Sequence, residues 1–167
     1  MSDIQTDSFA LPLLQPGQAQ KEMFHNEAIA ALDLIVQPVA EAMGVDTPPA
    51  APESGRSWIV GAAPTGAWAG KADHLAGWTA GGWRFVAPVA GMAVWVTADA
   101  LIARYTGGVW VAGETSCAHV VIGGDQVVGP RQTAIAAPAG GAVIDAESRT
   151  VLGAILAALW AHGLIAA

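Results

Sequence analysis

The spacing of the aromatic residues is the feature that most constrains the fold of this chain. Six of its seven tryptophans lie in residues 58–110, and the first three of them are ten residues apart. The sequence W-T-A-G-G-W at 78–83 recurs 27 residues later as Y-T-G-G-V-W at 105–110. Glycine tolerates the positive φ angles of tight hairpin turns, and aromatic side chains pair well across adjacent strands. The repeat therefore predicts two related β-hairpins, each closed by an aromatic pair.

Gly, Pro and Asp residues divide the same region into short segments of alternating apolar and polar positions, which are typical of half-buried antiparallel strands. The predicted strands cover residues 57–61, 66–69, 74–79, 82–87, 92–97, 101–105 and 109–112. A further β-like stretch, C-A-H-V-V-I-G-G followed by Q-V-V-G, begins after Glu114. We expect a small antiparallel meander or a barrel-like body.

The N-terminal segment predicts an arm followed by a helix. Two prolines favour an extended conformation in residues 1–17, whereas residues 18–36 contain good helix formers without Gly or Pro. Pro38 is expected to end or kink this helix before a short continuation to Met43. Apolar residues recur every three or four positions, so the helix has a wide apolar face. The residues predicted to contact another molecule are Phe24, Ile29, Leu32 and Ile35, flanked by the polar residues Gln20, Lys21, Glu27 and Asp33.

A second helix is predicted near the other end of the chain, over residues 146–161. Asp145 is placed to cap its first turn, and Glu147 lies where the helix dipole favours an acidic side chain. One side of the helix is large and apolar and the other is rich in alanine, so both sides can be contacted in an oligomer. The predicted interface residues are Leu152, Ile155, Leu156, Leu159 and Trp160.

These patterns predict an α+β fold with an N-terminal arm and helix, a small antiparallel Trp-rich β-meander or barrel-like body, and a C-terminal helix. The expected organisation is an arm and helix in residues 1–44, then a Pro-rich spacer in 45–57. A Trp-rich β module in 58–114 follows, and a short β segment with the C-terminal helix occupies 115–167.

The composition favours assembly. Only 13% of the residues are charged and 53% are apolar, with a mean hydropathy of +0.45, whereas about 25% of the residues in an average soluble domain are charged. A monomer of this size has difficulty covering itself with polar groups. We therefore expect a homo-oligomer, with a symmetric ring as the simplest arrangement.

Charge and hydropathy exclude two classes of partner. The net charge of −7 and the dispersed Lys and Arg residues give no basis for binding nucleic acid. The apolar segment 151–167 would extend about 25 Å as a helix, which is short of the ~30 Å core of a bilayer. We expect no membrane insertion, and the start of the sequence does not resemble a signal peptide.

The sequence contains no pattern typical of an enzyme active site. The four histidines are isolated from one another, no motif brings a nucleophile, base and acid together, and T-G-A-W-A-G-K-A at 65–72 departs from the phosphate-binding loop. We expect no catalytic residues, no cofactor and no metal; a cell-wall-lytic enzyme is a distant third interpretation. Trp78, Trp83, Trp95 and Trp110 allow either of two interpretations. They form the core of a thin β-meander, or they bind host polysaccharide together with Asp73, Asp99 and Arg104.

The sequence resembles a known family over residues 9–112. The strings that carry the resemblance are F-A-L-P-L-L-Q-P-G-Q-A-Q-K-E-M-F-H-N-E-A-I-A-A-L-D at 9–33, G-A-W-A-G at 66–70, W-T-A-G-G-W-R-F-V-A-P at 78–88 and Y-T-G-G-V-W at 105–110. They are similar to a domain of unknown function common in alphaproteobacterial prophages and gene transfer agents, where it occurs in spike and fibre proteins. Residues 127–165 are similar to C-terminal tails of such proteins, with Trp160 where a polar residue is more usual.

The resemblance implies a structural role in a tailed-phage-like particle. We expect an oligomeric adaptor, such as the base of a head spike, that is assembled in the bacterial cytoplasm and binds capsid or tail proteins and a fibre protein. The alternatives are a carbohydrate-binding module for host polysaccharide and a tail-fibre-associated protein.

Overall fold

The structure, a computed structural model, describes residues 5–14, 21–140, 145–162 and 164–165. The chain divides into two compact units, unit 1 with residues 1–114 and unit 2 with residues 115–167. The helices and strands of the described residues confirm the predicted α+β class. They are α1 (Lys21–Ile35), β1 (Val39–Ala40), β2 (Met43–Val45), β3 (Ser57–Val60), a short 3-10 helix (Gly66–Trp68), β4 (Leu75–Thr79), β5 (Gly82–Val86), β6 (Ala93–Val96), β7 (Leu101–Thr106), β8 (Val109–Ala112), β9 (Val120–Ile122), β10 (Asp125–Val128) and α2 (Ala146–Ala161).

Unit 1 contains two four-stranded sheets with the same plan. Sheet A has the strand order β2-β3-β4-β5, and sheet B has the order β1-β6-β7-β8. In each sheet a short edge strand runs parallel to its neighbour, and the other three strands are antiparallel. The Pro-rich segment leads from β2 to β3 within sheet A. The sheets are therefore mixed, and the parallel edge strands were not predicted.

The edge strands replace the helical continuation predicted beyond Pro38, which was wrong. The Pro38 carbonyl accepts a hydrogen bond from the Trp95 amide at 3.0 Å, so the chain enters sheet B directly after the proline. The turn between β1 and β2 then joins both sheets. The Glu41 amide donates to the Ser57 carbonyl at 2.8 Å, and the Glu41 carbonyl accepts from the Ala98 amide at 3.1 Å.

Both predicted hairpins are confirmed. Trp78 pairs with Trp83 across β4 and β5, with ring centroids 5.0 Å apart, and Tyr105 pairs with Trp110 across β7 and β8, with centroids 5.3 Å apart. Both pairs have an edge-to-face geometry, which suits the aromatic quadrupole. The second hairpin turns at two glycines with φ angles of 60° and 87°, which side chains with a Cβ rarely adopt.

The main core of unit 1 combines residues from both sheets and α1. Its buried members are Leu34, Ala40, Ile59, Leu75, Val94, Val96 and Ala103. A second cluster lies on the other face of sheet A, because successive side chains of a strand point to opposite faces. It contains Val60, Trp68 and Ala76, with Trp58, Trp83 and Phe85 packed against them.

The segment predicted as a strand at 66–69 is a 3-10 helix, so that prediction was wrong. The Trp68 amide donates to the Thr65 carbonyl at 3.0 Å and the Ala69 amide to the Gly66 carbonyl at 3.2 Å, which are the three-residue spacings of this helix. This tight turn allows the fully buried Trp68 to cover one face of sheet A.

Unit 2 contains a β-hairpin and the C-terminal helix. Strands β9 and β10 pair antiparallel, and α2 begins after Asp145, whose side chain accepts a hydrogen bond from the Ser148 amide at 2.8 Å. The predicted cap and the predicted bounds of α2 are confirmed. The Gln132 amide donates to the Leu164 carbonyl at 2.9 Å, which ties the segment after β10 to the end of the chain.

Helix α1 is attached to sheet A where Leu34 lies over Gly77. A Cβ added to Gly77 would overlap both δ-methyl groups of the buried Leu34. The missing side chain on β4 therefore sets how closely the helix approaches the sheet.

We predict that Gly77→Ala lowers the free energy of unfolding by about 1–3 kcal/mol, because the new methyl group overpacks the Leu34 contact. Urea denaturation followed by tryptophan fluorescence measures the loss. In a Leu34→Ala background the same change should cost much less, since the overlapping methyl groups are gone. Equal losses in the two backgrounds would contradict a direct contact.

Candidate interaction surfaces

The orientation of α1 is fixed by a second contact on the same side of the helix as Leu34. The Arg84 guanidinium on β5 donates from Nη2 to Glu27 Oε1 at 2.6 Å and from Nη1 to the Gly81 and Trp83 carbonyls, each at 3.1 Å. An ion pair this exposed contributes little stability by itself. The carbonyl contacts hold the guanidinium in one position, so the Glu27 contact defines which face of α1 is turned to the sheet.

Asp33 is the buried polar centre of this region. Its carboxylate accepts hydrogen bonds from Thr6 Oγ1 at 2.7 Å and from the Ser8 and Phe9 amides, both at 2.9 Å. Burial by itself would raise the pKa of Asp33, but the hydrogen bonds outweigh it and hold the pKa below its usual value. The carboxylate is therefore charged at neutral pH and binds the N-terminal arm to α1.

The arm folds back on itself, so the extended conformation predicted for it is wrong in the described residues 5–14. Gln5 forms a β-bridge with Pro12, and the Thr6 amide donates to the Leu11 carbonyl at 3.0 Å. Asn26 of α1 holds the end of this loop, accepting from the Leu14 amide at 2.9 Å and donating to the Leu14 carbonyl at 3.1 Å. The described part of the arm thus lies on one side of α1, and the side chains on another side of the helix are exposed.

The uncovered side of α1 is apolar. Phe24 is 74% exposed, Leu32 and Ile35 are also exposed, and Val36 continues the surface past the end of the helix. Ile29, the fourth residue predicted for this interface, is half-buried. We call Phe24, Leu32, Ile35 and Val36 the α1 face.

A cleft lies between the arm, α1 and the β4–β5 hairpin. Its lining includes Thr6, Asp33, Leu34, Trp78 and Arg84, and it encloses about 140 Å³. Small-molecule sites usually measure about 300–1,000 Å³. The four charged residues that line it already have partners: Asp33 binds the arm, Arg84 binds Glu27 of the helix, and Asp7 accepts a hydrogen bond from Ser54. The cleft is smaller than a typical small-molecule site, and the side chains that line it hold the arm against α1.

The tryptophans predicted as one glycan platform lie in different places. Trp83 packs edge-on against Trp58 and Trp68, with centroids 5.7 Å and 5.1 Å away, and Trp78 is half-buried beside it. Trp110 packs against the main core and donates from Nε1 to the Asp73 carbonyl at 2.8 Å. The structure brings Trp78 and Trp83 together, whereas the Trp110 indole is held in the core by a backbone acceptor.

Trp95 is the remaining member of that set, and it is 44% exposed on the outer face of sheet B. It lies opposite Val39 on one neighbouring strand and Ile102 on the other, and both are exposed. Arg104 follows two residues after Ile102 on the same face, and it is exposed, as is Asp99. Trp95 is therefore the most accessible indole of the four.

The sequence of most of unit 1 matches a known family. Residues 25–111, slightly more than half of the chain, match the family described as protein of unknown function (DUF2793). The chain belongs to this family. No curated protein matches the sequence. The DUF2793 match begins within α1 and ends in β8, so it covers both sheets and all of the α1 face except Phe24.

Unit 2 lies outside the DUF2793 match and contains the other predicted interface. Leu156 is only 8% exposed, whereas Ile155 is 50% exposed and Leu152 is exposed to a similar extent. Leu159 and Trp160 are half-buried. The five predicted residues therefore divide between an inner side of α2 and an outer side.

The described part of this DUF2793 chain contains no cluster of three or more His, Cys, Asp or Glu side chains that could hold a metal ion. None of its described helices has both the length and the apolar content needed to cross a bilayer.

The sequence did not single out Asp33 and Asn26, which hold the arm on the DUF2793 domain. Asp33 was expected only as a polar flank of the helix. Its partners lie 24–27 residues away along the chain, so no local pattern distinguishes it from other helical carboxylates. The run of hydrogen-bonding residues Thr6, Asp7 and Ser8 is the one local signal that could have indicated a turn bound to a carboxylate.

We predict that Asp33→Asn lowers the free energy of unfolding at pH 7 by about 1–3 kcal/mol, because an amide nitrogen replaces an acceptor facing buried donors. The native pKa of Asp33 is depressed, so its contribution is present above the ordinary value of 3.8 and is lost as the pH falls through the native pKa. The difference between variant and wild type should shrink in urea titrations below about pH 4. Asp99→Asn, at an exposed site, is the control; equal stability of the two variants would count against the arm clamp.

Proposed function

We propose that this protein is a non-enzymatic structural component of a tailed-phage-like particle, encoded by a prophage or a gene transfer agent. In this role it is a homo-oligomeric adaptor, such as the base of a head spike, that links capsid or tail proteins to a receptor-binding fibre. Assembly would take place in the bacterial cytoplasm. The resemblance of residues 9–112 to spike and fibre proteins supports the choice of particle, and the distribution of apolar surface supports the adaptor role.

The exposure of unit 2 is the observation that carries the proposal. Among its described residues, Leu156 and Ile165 are the buried hydrophobic side chains, whereas ten large apolar side chains are exposed. A unit this small with so little buried area does not offset the conformational entropy of folding by itself. Its apolar surface is therefore expected to be covered by other chains.

Unit 1 supports a second contact. The Leu34 and Asp33 contacts turn the α1 face away from sheet A, so the apolar side chains of that face are available to a partner. An amphipathic helix with an exposed apolar face is a common protein-docking element. We propose that the α1 face binds the particle protein or the fibre protein. Unit 2 is then available for contacts with other chains.

We predict that deleting this chain from a particle-producing strain removes the spikes from otherwise intact particles, as seen by electron microscopy. Wild-type chain should restore them. Phe24→Glu should fold normally but fail to restore them, because it places a charge in the α1 face. Val89→Glu, at an exposed apolar residue in the loop after β5, should restore them. Loss of tail fibres would instead favour a tail-fibre-associated protein, and unchanged particles would contradict the proposal.

A carbohydrate-binding module is the second candidate, and the exposed ring of Trp95 is the observation that favours it. Aromatic faces of this kind stack on sugar rings. An exposed arginine on the same face, Arg104, would add a polar contact.

If sugar binding occurs, host polysaccharide should quench the tryptophan fluorescence of the wild type. The quenching should be weaker in Arg104→Ala and absent in Trp95→Ala, and the melting temperature of Trp95→Ala should equal that of the wild type. Trp83→Ala does not test binding, because loss of its contacts with Trp58 and Trp68 should cost about 3 kcal/mol of stability. Quenching that persists in Trp95→Ala would rule out this site.

A further inference from the structure

We infer that unit 2 is the surface through which copies of this chain bind one another, by way of the outer side of α2 and the free edge of β9. The inference rests on the proposed function, since it assigns the homo-oligomer contact to one unit. It also separates that contact from the α1 face, which is left for a different protein.

The contacts inside unit 2 connect its segments but leave most of its large apolar side chains exposed. The Gln132 amide bonds to the Leu164 carbonyl, and Arg131 Nε donates to the Ile165 carbonyl at 3.2 Å, so the end of the chain is tied to the segment after β10. Ile165, which accepts the Arg131 hydrogen bond, is only 4% exposed. A lone two-stranded hairpin is marginal in water and needs further strands or a packed face for stability.

The outer side of α2 carries an apolar stripe. Val151, Leu152 and Ile155 are each about half exposed, and Ile155 lies four residues after Val151 and three after Leu152, so it is a neighbour of both on the helix surface. Leu156, four residues after Leu152, is the buried residue that borders this stripe, and the half-buried Arg149 lies three residues before Leu152. The stripe contains no charged residue, so it offers no ion pair to a charged partner.

The edge of β9 is equally unprotected. Its three residues, Val120, Val121 and Ile122, are all exposed, and none is charged or proline. Natural edge strands usually carry a charge or a proline that prevents pairing with another chain. Strand β10 has these features, since it begins at Asp125 and Pro130 follows it. The β9 edge is therefore the one suited to pairing with another strand.

The distribution of charge indicates that the chain that binds unit 2 is a second copy of the same chain. Unit 2 has three acidic and two basic residues, a net charge of −1, whereas the whole chain carries −7, so unit 1 accounts for −6. Copies that meet through unit 1 would repel each other, but copies that meet through unit 2 would not. An uncharged apolar stripe and an apolar strand edge can both complement themselves, as the two-fold interface of a homo-oligomer requires.

The exposed Cys117, the single cysteine of the chain, lies three residues before β9 and provides a probe. The full chain labelled there with pyrene should show excimer emission at micromolar concentration, because unit 2 of one copy lies against unit 2 of the next. Light scattering of the unlabelled chain should give an oligomer mass.

We predict that Ile155→Glu raises the concentration at half-dissociation by about 10- to 100-fold, because it introduces a charge into the apolar contact. Excimer emission and oligomer mass should fall together. Val121→Lys, a charge on the β9 edge, should act in the same direction and provides a second measurement if Ile155→Glu loses helical circular dichroism. Ala157→Glu places the same charge on the opposite side of α2, at an exposed residue, and should leave the mass unchanged.

The outcomes separate this inference from the proposed function. A wild-type chain that is monomeric at micromolar concentration would overturn both. A wild-type oligomer that withstands Ile155→Glu and Val121→Lys, but dissociates in Phe24→Glu, would overturn this inference alone and make the α1 face the contact between copies.

Discussion

The contact between Leu34 and Gly77 decides what the rest of unit 1 presents to its surroundings. Because β4 has no side chain at Gly77, α1 approaches sheet A closely and turns one side toward it. Asp33, next to Leu34 in sequence, then lies where its carboxylate can bind the arm. With the sheet on one side and the arm on another, the remaining surface of the helix is apolar and open.

Polar residues are scarce in both units, but the two units differ in how much of their apolar surface they bury. Unit 1 buries its apolar side chains between two sheets and beneath Trp68, so it has a core of its own. Unit 2 exposes most of its large apolar residues. This contrast explains how one short chain with little charge can hold a stable body and still depend on neighbours, as the proposed adaptor role requires.

Local patterns in the sequence were enough to predict the hairpins and α2, because the aromatic pairs and the Asp145 cap act over a few residues. Features that depend on distant partners were not predicted. Strands β1 and β2 exist through pairing with β6 and β3, and the 3-10 helix exists because Trp68 covers a sheet. The role of Asp33 depends on the arm, and the exposure of each tryptophan depends on which face of a sheet it occupies.

The double attachment of Glu41 has a mechanical consequence. Its amide bonds to sheet A and its carbonyl is bonded by the segment after β6 of sheet B, only a few residues beyond the end of α1. Tension applied to that helix would therefore load the two sheets simultaneously instead of peeling away a single strand. A protein that transmits force between a fibre and a capsid would resist unfolding better when the residue under tension is hydrogen-bonded to both sheets, as Glu41 is.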